Sequence, residues 1–463
     1  MSQPDATTLA PASPEAPPTK VLSWRVFSWA FWDWGSAAFN AVATTFVFSV
    51  YLTGDKVFTD AGTASEHLST GLTIAGIFIA LLAPVTGQRA DRRGKGGVWL
   101  GWFTAAVVVC LALMYFVAPS SPLGPLGALW LGIALLGLGN VFFEFASVNY
   151  NAMLNHISTK KTMGRVSGLG WGMGYVGGIV LLLILFVGFI NPEVGWFGVT
   201  HDDGMNIRVS MLVAALWFGL FALPVVLNPP RPANLHPDTG HESLWESYRL
   251  LWGTVKSLAK DAPHTLSFLI ASAIYRDGLA GVFTFGAILA GTVFGFTSSQ
   301  VIVFAIAANV VAGLATIAFG ALDDTLGPKR VIVISLVAMV VSGLGVFFLH
   351  AHGQTVFWIL GLILCVFVGP AQSASRSFLA RVIPEGREGE VFGLYATTGR
   401  AVSFLSPLLY GVFLRIGKAV TPDGVNYTHW GILGIMVILL AGLILVIPIR
   451  QEKAHLDVYA DRA

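Results

Sequence analysis

Six ionisable side chains sit in stretches that are otherwise almost wholly apolar: Asp33, Glu144 and Asp277, and Arg276, Arg376 and Arg400. The first lies between two tryptophans in "SWAFWDWGSAAFN", residues 28–40. A charge at the centre of a membrane-spanning helix costs about 2.5–3.5 kcal/mol on insertion scales, so each needs a compensating use. A carboxylate facing a water-filled path can take up a proton on one side of a bilayer and release it on the other. An arginine in the same path can receive the carboxylate of a substrate. The alternative is structural: three acids and three bases pair within the bundle. For Asp33 and Asp277 both readings stand, proton coupling or substrate contact against internal pairing. Arg276 adjoins Asp277 in sequence, although adjacent helical residues point about 100° apart. Glu144 and Arg400 have the same two uses, and Arg376 is close enough to a helix end to snorkel instead. Asn149 and Asn151, on the helix of Glu144, suit substrate contact or interhelical hydrogen bonding.

The elements that carry these residues follow from composition. Of 463 residues, 55% are hydrophobic and only 11% charged, where soluble chains are about a quarter charged. A helix needs about 20 apolar residues to cross a bilayer. Twelve such spans are predicted, at 25–52, 70–88, 97–117, 126–152, 166–190 and 208–228, then 265–290, 299–320, 330–350, 355–378, 391–414 and 429–449. The fold class is therefore an all-α polytopic membrane protein. With both termini cytoplasmic, 20 of the 27 Lys and Arg fall in cytoplasmic segments. Lys56, Arg208, Arg415 and Lys418 fall outside, a bias that follows the positive-inside rule. Asp33, eight residues past Arg25, lies about 12 Å into its helix and Asp277, twelve past Thr265, about 18 Å.

The domain organisation expected is a disordered tail (1–24, not a cleavable signal peptide), a six-helix half (25–228), a linker (229–264), a second six-helix half (265–450) and a short tail (451–463). In the linker, Leu244, Tyr248, Leu251, Val255 and Leu258 recur at helical spacing between charges. This predicts an amphipathic helix, either on the membrane surface or packed on the protein. The net charge of +2 gives no sign of a nucleic-acid partner. Cys110 and Cys365 lie in apolar runs and read as packing residues. The "GMGYVG" of Gly172, Gly174 and Gly177 lies within a span with no strand before it, so its glycines read as helix-packing contacts rather than a nucleotide loop. No cofactor, metal site or enzymatic activity is expected, since no nucleophile–base cluster or nucleotide motif is present.

The two halves repeat. "GQRADRRGKG" places Gly87, Asp91 and Gly94 at offsets of zero, four and seven, and "GALDDTLGPKR" does the same with Gly320, Asp324 and Gly327. "FFEFASVNYNAMLNHI" aligns with "FVGPAQSASRSFLARV", and "VSGLG" with "VFGLY". The first loop resembles the signature loop of the major facilitator superfamily. More narrowly, "FWDWGSAAFNAVATTFVFSVYL", "RVSGLGWGMGYVGG", "NIRVSMLVAALWFGLFALP", "IYRDG" and "QSASRSFLARVIPEGREGEVFGLYATTGRAVSFLSPLLYG" are similar to the vacuole-effluxer branch, the fungal autophagy-related amino-acid exporters and their bacterial relatives.

That resemblance implies the facilitator fold, with spans one, four, seven and ten lining a central path, and secondary transport of small solutes, amino acids first among them; the carboxylates in those spans leave protons open as a coupling partner. It also implies a conformational latch at Gly87, Asp91, Arg92, Gly94 and Lys95 and at Gly320, Asp324 and Gly327. Thr325 stands where the first copy has Arg92, so the two loops are not expected to latch equally. The expected setting is a monomer in a bacterial inner membrane. Competing readings are a proton-driven effluxer of other amphiphilic compounds and a non-transport membrane sensor.

Overall fold

The computed structural model describes residues 23–92, 96–153, 157, 163–230, 244–382 and 388–449. The first half contains α1 (Trp24–Leu52), α2 (Ala61–Arg92), α3 (Gly96–Leu113), α4 (Gly124–Ala152), α5 (Met163–Leu185) and α6 (Met205–Leu227). A linker helix, α7 (Leu244–Asp261), precedes the second half. That half contains α8 (Pro263–Thr292), α9 (Ser298–Leu326), α10 (Pro328–Phe348), α11 (Gln354–Val382), α12 (Glu388–Ala401), α13 (Leu405–Val420) and α14 (Gly431–Val446). Among the described residues, twelve helical segments are long and apolar enough to cross a membrane, with α12 and α13 as two pieces of the eleventh. Helices suit this role because each satisfies its own backbone hydrogen bonds where lipid offers none.

The internal repeat is visible in the packing. Within the first half α1 packs on α5 and α6, α4 on α2 and α3, and α3 on α6. In the second half α8 packs on the α12–α13 pair and α14, α11 on α9 and α10, and α10 on α14. Each pairing has its counterpart six spans later.

Two differences from the expected boundaries have local causes. The second helix starts at Ala61, nine residues before the expected 70. The Asp60 carboxylate accepts from the Thr63 backbone N–H at 2.9 Å and caps it there. Glu66 and His67 interrupt the apolar run that marked the span. The eleventh span, expected unbroken over 391–414, is interrupted at residues 402–404. The first helix is also irregular, with a π-helical stretch over Ala38–Phe46. There Thr44 and Thr45 donate their hydroxyls to the carbonyls of Phe39 and Asn40, at 3.1 and 2.8 Å. Such insertions are common at functional sites.

The linker helix packs on α8 and α2 through a face that buries Leu258, leaving Arg249, Trp252, Lys256 and Lys260 exposed. Cys110 and Cys365 are buried free thiols, as packing residues should be.

A polar seam between the two halves

Helices α1 and α14 begin and end at one face, here the near face. At the opposite, far face the halves are joined. Tyr427 donates to Glu66 Oε1 at 3.0 Å, Lys418 Nζ lies 3.8 Å from the same oxygen, and Arg415 donates to Thr70 at 3.2 Å. Deeper in, α2 approaches the break of the eleventh span closely. A Cβ on Gly76 would lie 2.7 Å from the Phe404 Cα, so only glycine fits. Nearer the other end of the seam, Asn40, Asn151, Ser373 and Arg376 are exposed. All four lie on the first or fourth helix of their half.

Asp33 is half-buried, and its carboxylate is held by a tyrosine that sequence reasoning missed. Tyr150 of α4 donates to Asp33 Oδ2 at 3.0 Å. Two stacked indoles fix the Tyr150 ring, Trp29 and Trp32, each with its centroid 4.4 Å away. Trp29 also donates to the Tyr150 carbonyl, and Trp32 to Thr104, both at 3.0 Å. The far wall of this niche is backbone. A Cβ on Gly170 of α5 would sit 2.8 Å from the Trp29 ring and 3.0 Å from Asp33 Oδ2, and one on Gly177 would sit 2.5 Å from the Trp34 carbonyl oxygen. The α5 glycines therefore do pack helices together, while Gly172 faces open space. Asp33 thus points into the wedge between α1, α4 and α5 of its own half, with no charged partner among the described residues.

Glu144 and Arg400 meet across the seam. Arg400 Nε donates to Glu144 Oε2 at 2.7 Å, and its Nη2 to Ser147 Oγ at 3.3 Å. Asn151 donates to the same Ser147 hydroxyl at 3.3 Å. Glu144, Ser147 and Asn151 therefore form one polar stripe on α4, at the three- and four-residue spacing of a helix face.

Arg276 and Asp277 do not pair with each other; each grips a different piece of the eleventh span. Arg276 donates to the Tyr395 carbonyl at 3.0 Å and lies 4.0 Å over its ring centre. Asp277 is buried and accepts from the Ser406 backbone N–H at 2.6 Å, while the Ser406 hydroxyl donates to the Asp277 carbonyl at 2.8 Å. Ser406 lies in the first turn of α13, where backbone donors lack partners within their helix, so Asp277 caps that helix from outside. Asp277 thus anchors the helix that restarts after 402–404, where Pro407 has no N–H to offer the Ser403 carbonyl.

The remaining candidates are dispersed. Asn149 is buried and donates to the Phe145 carbonyl at 2.7 Å, turned away from the stripe of its neighbours. Arg376 is exposed on α11, within electrostatic range of Arg276, Tyr395 and Tyr175. Gly87, Asp91 and Arg92 fall in the last turns of α2, and Gly320 and Asp324 in those of α9. Gly327, with φ of +84°, makes the turn into α10. Gly94 and Lys95 lie outside the described residues.

Two six-helix repeats meet along a polar seam that is closed at one end. Such an architecture defines a transporter of the major facilitator type, and solved structures share the fold. The D-xylose–proton symporter superposes with a TM-score of 0.62 at 13% identity, covering 93% of this chain and 97% of that one. The inward-open xylose transporter XylE from E. coli gives 0.61 at 12%, covering 93% and 96%. Within this class, the chain belongs to the family described as vacuole effluxer Atg22 like, whose model matches residues 68–458. It is 25% identical over 431 residues to the uncharacterized MFS-type transporter YxiO of Bacillus subtilis, covering 92% of this chain and 95% of that one. It is 24% identical over 319 residues to autophagy-related protein 22-1 of Neosartorya fischeri, covering 63% of this chain but only 49% of that longer one.

Proposed function

We propose that this transporter exports amino acids by alternating access, driven by protons that bind at Asp33. The observation that carries the coupling is the setting of that carboxylate: within a membrane-spanning helix, half-buried, and held by one neutral hydroxyl with no counter-charge among the described residues. Protonation discharges such a group, and the Tyr150 hydroxyl can remain bonded to either form. Because the niche lies between α1, α4 and α5, a change of charge there bears on how the first half packs. The amino-acid class rests on the resemblance to vacuolar amino-acid exporters, and the effluxer name of the family supports the direction. The charge bias supports cytoplasmic termini, and in this reading the membrane is a bacterial inner membrane and the closed far face is the outer one. The protein works as a monomer whose partners are its solute, protons and the surrounding lipid.

The test is counterflow and gradient-driven uptake of a labelled amino-acid panel in proteoliposomes, with and without a pH gradient. Wild type should accumulate at least one amino acid when the gradient is imposed. Asp33→Asn should retain counterflow and lose accumulation. If no amino acid moves in either mode, the substrate class is wrong; if Asp33→Asn accumulates normally, the coupling site is wrong.

A further inference from the structure

The Glu144–Arg400 pair combines three properties that a structural ion pair does not need together. It joins the two halves, linking residues 256 apart in sequence. It retains access to solvent, with side chains 27% and 19% exposed. It is also built into the seam at a helix end. Arg400 lies in the last turn of α12, where carbonyls without helical partners favour a cation, just before the break at 402–404. On the other side, Glu144 heads the stripe that continues through Ser147 and Asn151.

Alternating access requires the halves to separate and re-form along this seam. Pulling the pair apart would leave two opposite charges unpaired in a region of low dielectric, which is strongly unfavourable. A solute with one positive and one negative group removes that obstacle by replacing each partner for the other. We propose that Glu144 and Arg400 are the recognition pair for a zwitterion, Arg400 taking its carboxylate and Glu144 its ammonium, so that substrate binding exchanges the bond between the halves for two bonds to the solute. The α-carboxylate and α-ammonium of a free amino acid meet this requirement without any contribution from the side chain. Ser147 and Asn151 supply neutral hydrogen-bonding groups beside the carboxylate site. A solute with only one charge satisfies one residue and strands the other. This inference rests on the export reading and gives it a chemical basis: selection for both charges and tolerance of varied side chains.

The test begins with wild type, in counterflow of an amino acid that it transports. The competitors are the parent, its decarboxylated amine and its deaminated acid. The parent should compete at least about tenfold better than either analogue, the discrimination of one charge-assisted hydrogen bond. Glu144→Gln should then narrow the gap for the deaminated acid alone, and Arg400→Gln the gap for the amine alone. A pair that merely ties the halves together would not change analogue preference in opposite directions. The inference is overturned if either analogue competes as well as the parent against wild type, a result that needs no variant to fold. It is also overturned if both variants keep the wild-type ratios. If amino acids are transported without regard to one charge, this inference alone falls. If no amino acid is transported, the export reading falls and takes the inference with it.

Discussion

Asp33 and Asp277 occupy matching places, each on the first helix of its half and each facing the fifth helix of that half. In the first half that neighbour is the continuous, glycine-lined α5. The carboxylate rests against it without bonding to it and takes its hydrogen bond from the Tyr150 hydroxyl on α4. In the second half the neighbour is broken, and the carboxylate binds the backbone N–H that the break exposes. A hydroxyl serves a charged or a neutral carboxyl. A backbone amide at the start of a helix prefers the anion. The first helix of each half thus carries a carboxylate, bonded to a neutral hydroxyl in one half and fixed on the start of a helix in the other.

The comparison breaks first on stability. Asp277→Ala strands a buried N–H and removes the charge that caps α13, at a cost of about 2–4 kcal/mol. The apparent thermal midpoint in detergent should fall by several degrees. Asp33→Asn should leave it nearly unchanged, because an amide oxygen still accepts from Tyr150. Equal losses for the two variants would show that Asp33 is as structural as Asp277.

A smaller effect should come from the glycine wall. Gly177→Ala drives a Cβ against the Trp34 backbone, which cannot rotate away, so α5 must withdraw from α1 at about 1–3 kcal/mol. Because the niche of Asp33 depends on that approach, gradient-driven transport should drop along with the thermal midpoint. Gly172→Ala on the same helix meets nothing within 4 Å and should behave as wild type. If both alanines are silent, α5 does not shape the site.

How far the sequence showed this arrangement depends on the range of each interaction. Twelve spans were legible because an apolar run long enough to cross a bilayer is a local property. So was the repeat, and the six charged residues within the spans stood out against their apolar neighbours. Partners were not legible. Nothing near Glu144 points to Arg400, and although Pro407 marks a break just before it, nothing local points to Asp277, 129 residues from Ser406, as the group that caps the helix after the break. Tyr150 was overlooked because an aromatic near a helix end reads as an interfacial anchor. Trp32 and Trp34 flank Asp33 in sequence, but only the fold shows that Trp29 and Trp32 hold a ring from α4. The early start of α2 was hidden by Glu66, whose partners come from the other half.

Glu66 supplies the low end of the scale on which the two aspartates stand. It is a carboxylate at the far face, 3.8 Å from a Lys418 side chain that is itself 55% exposed, and it accepts from Tyr427. An ion pair open to solvent contributes about 0.2–1 kcal/mol and weakens with salt. Glu66→Gln keeps an oxygen for Tyr427 and loses only the charge, so fold and coupling should persist. What should change is the balance between states closed and open at the far face. Spin labels at the far ends of α2 and α13 should report a modest gain in the longer-distance population, roughly twofold at low salt for such an energy. High salt should erase the difference from wild type. A shift that survives high salt would mean that Glu66 acts through the Tyr427 hydrogen bond rather than through Lys418, making the far seal a bonded contact like that of Asp277 instead of a screened one.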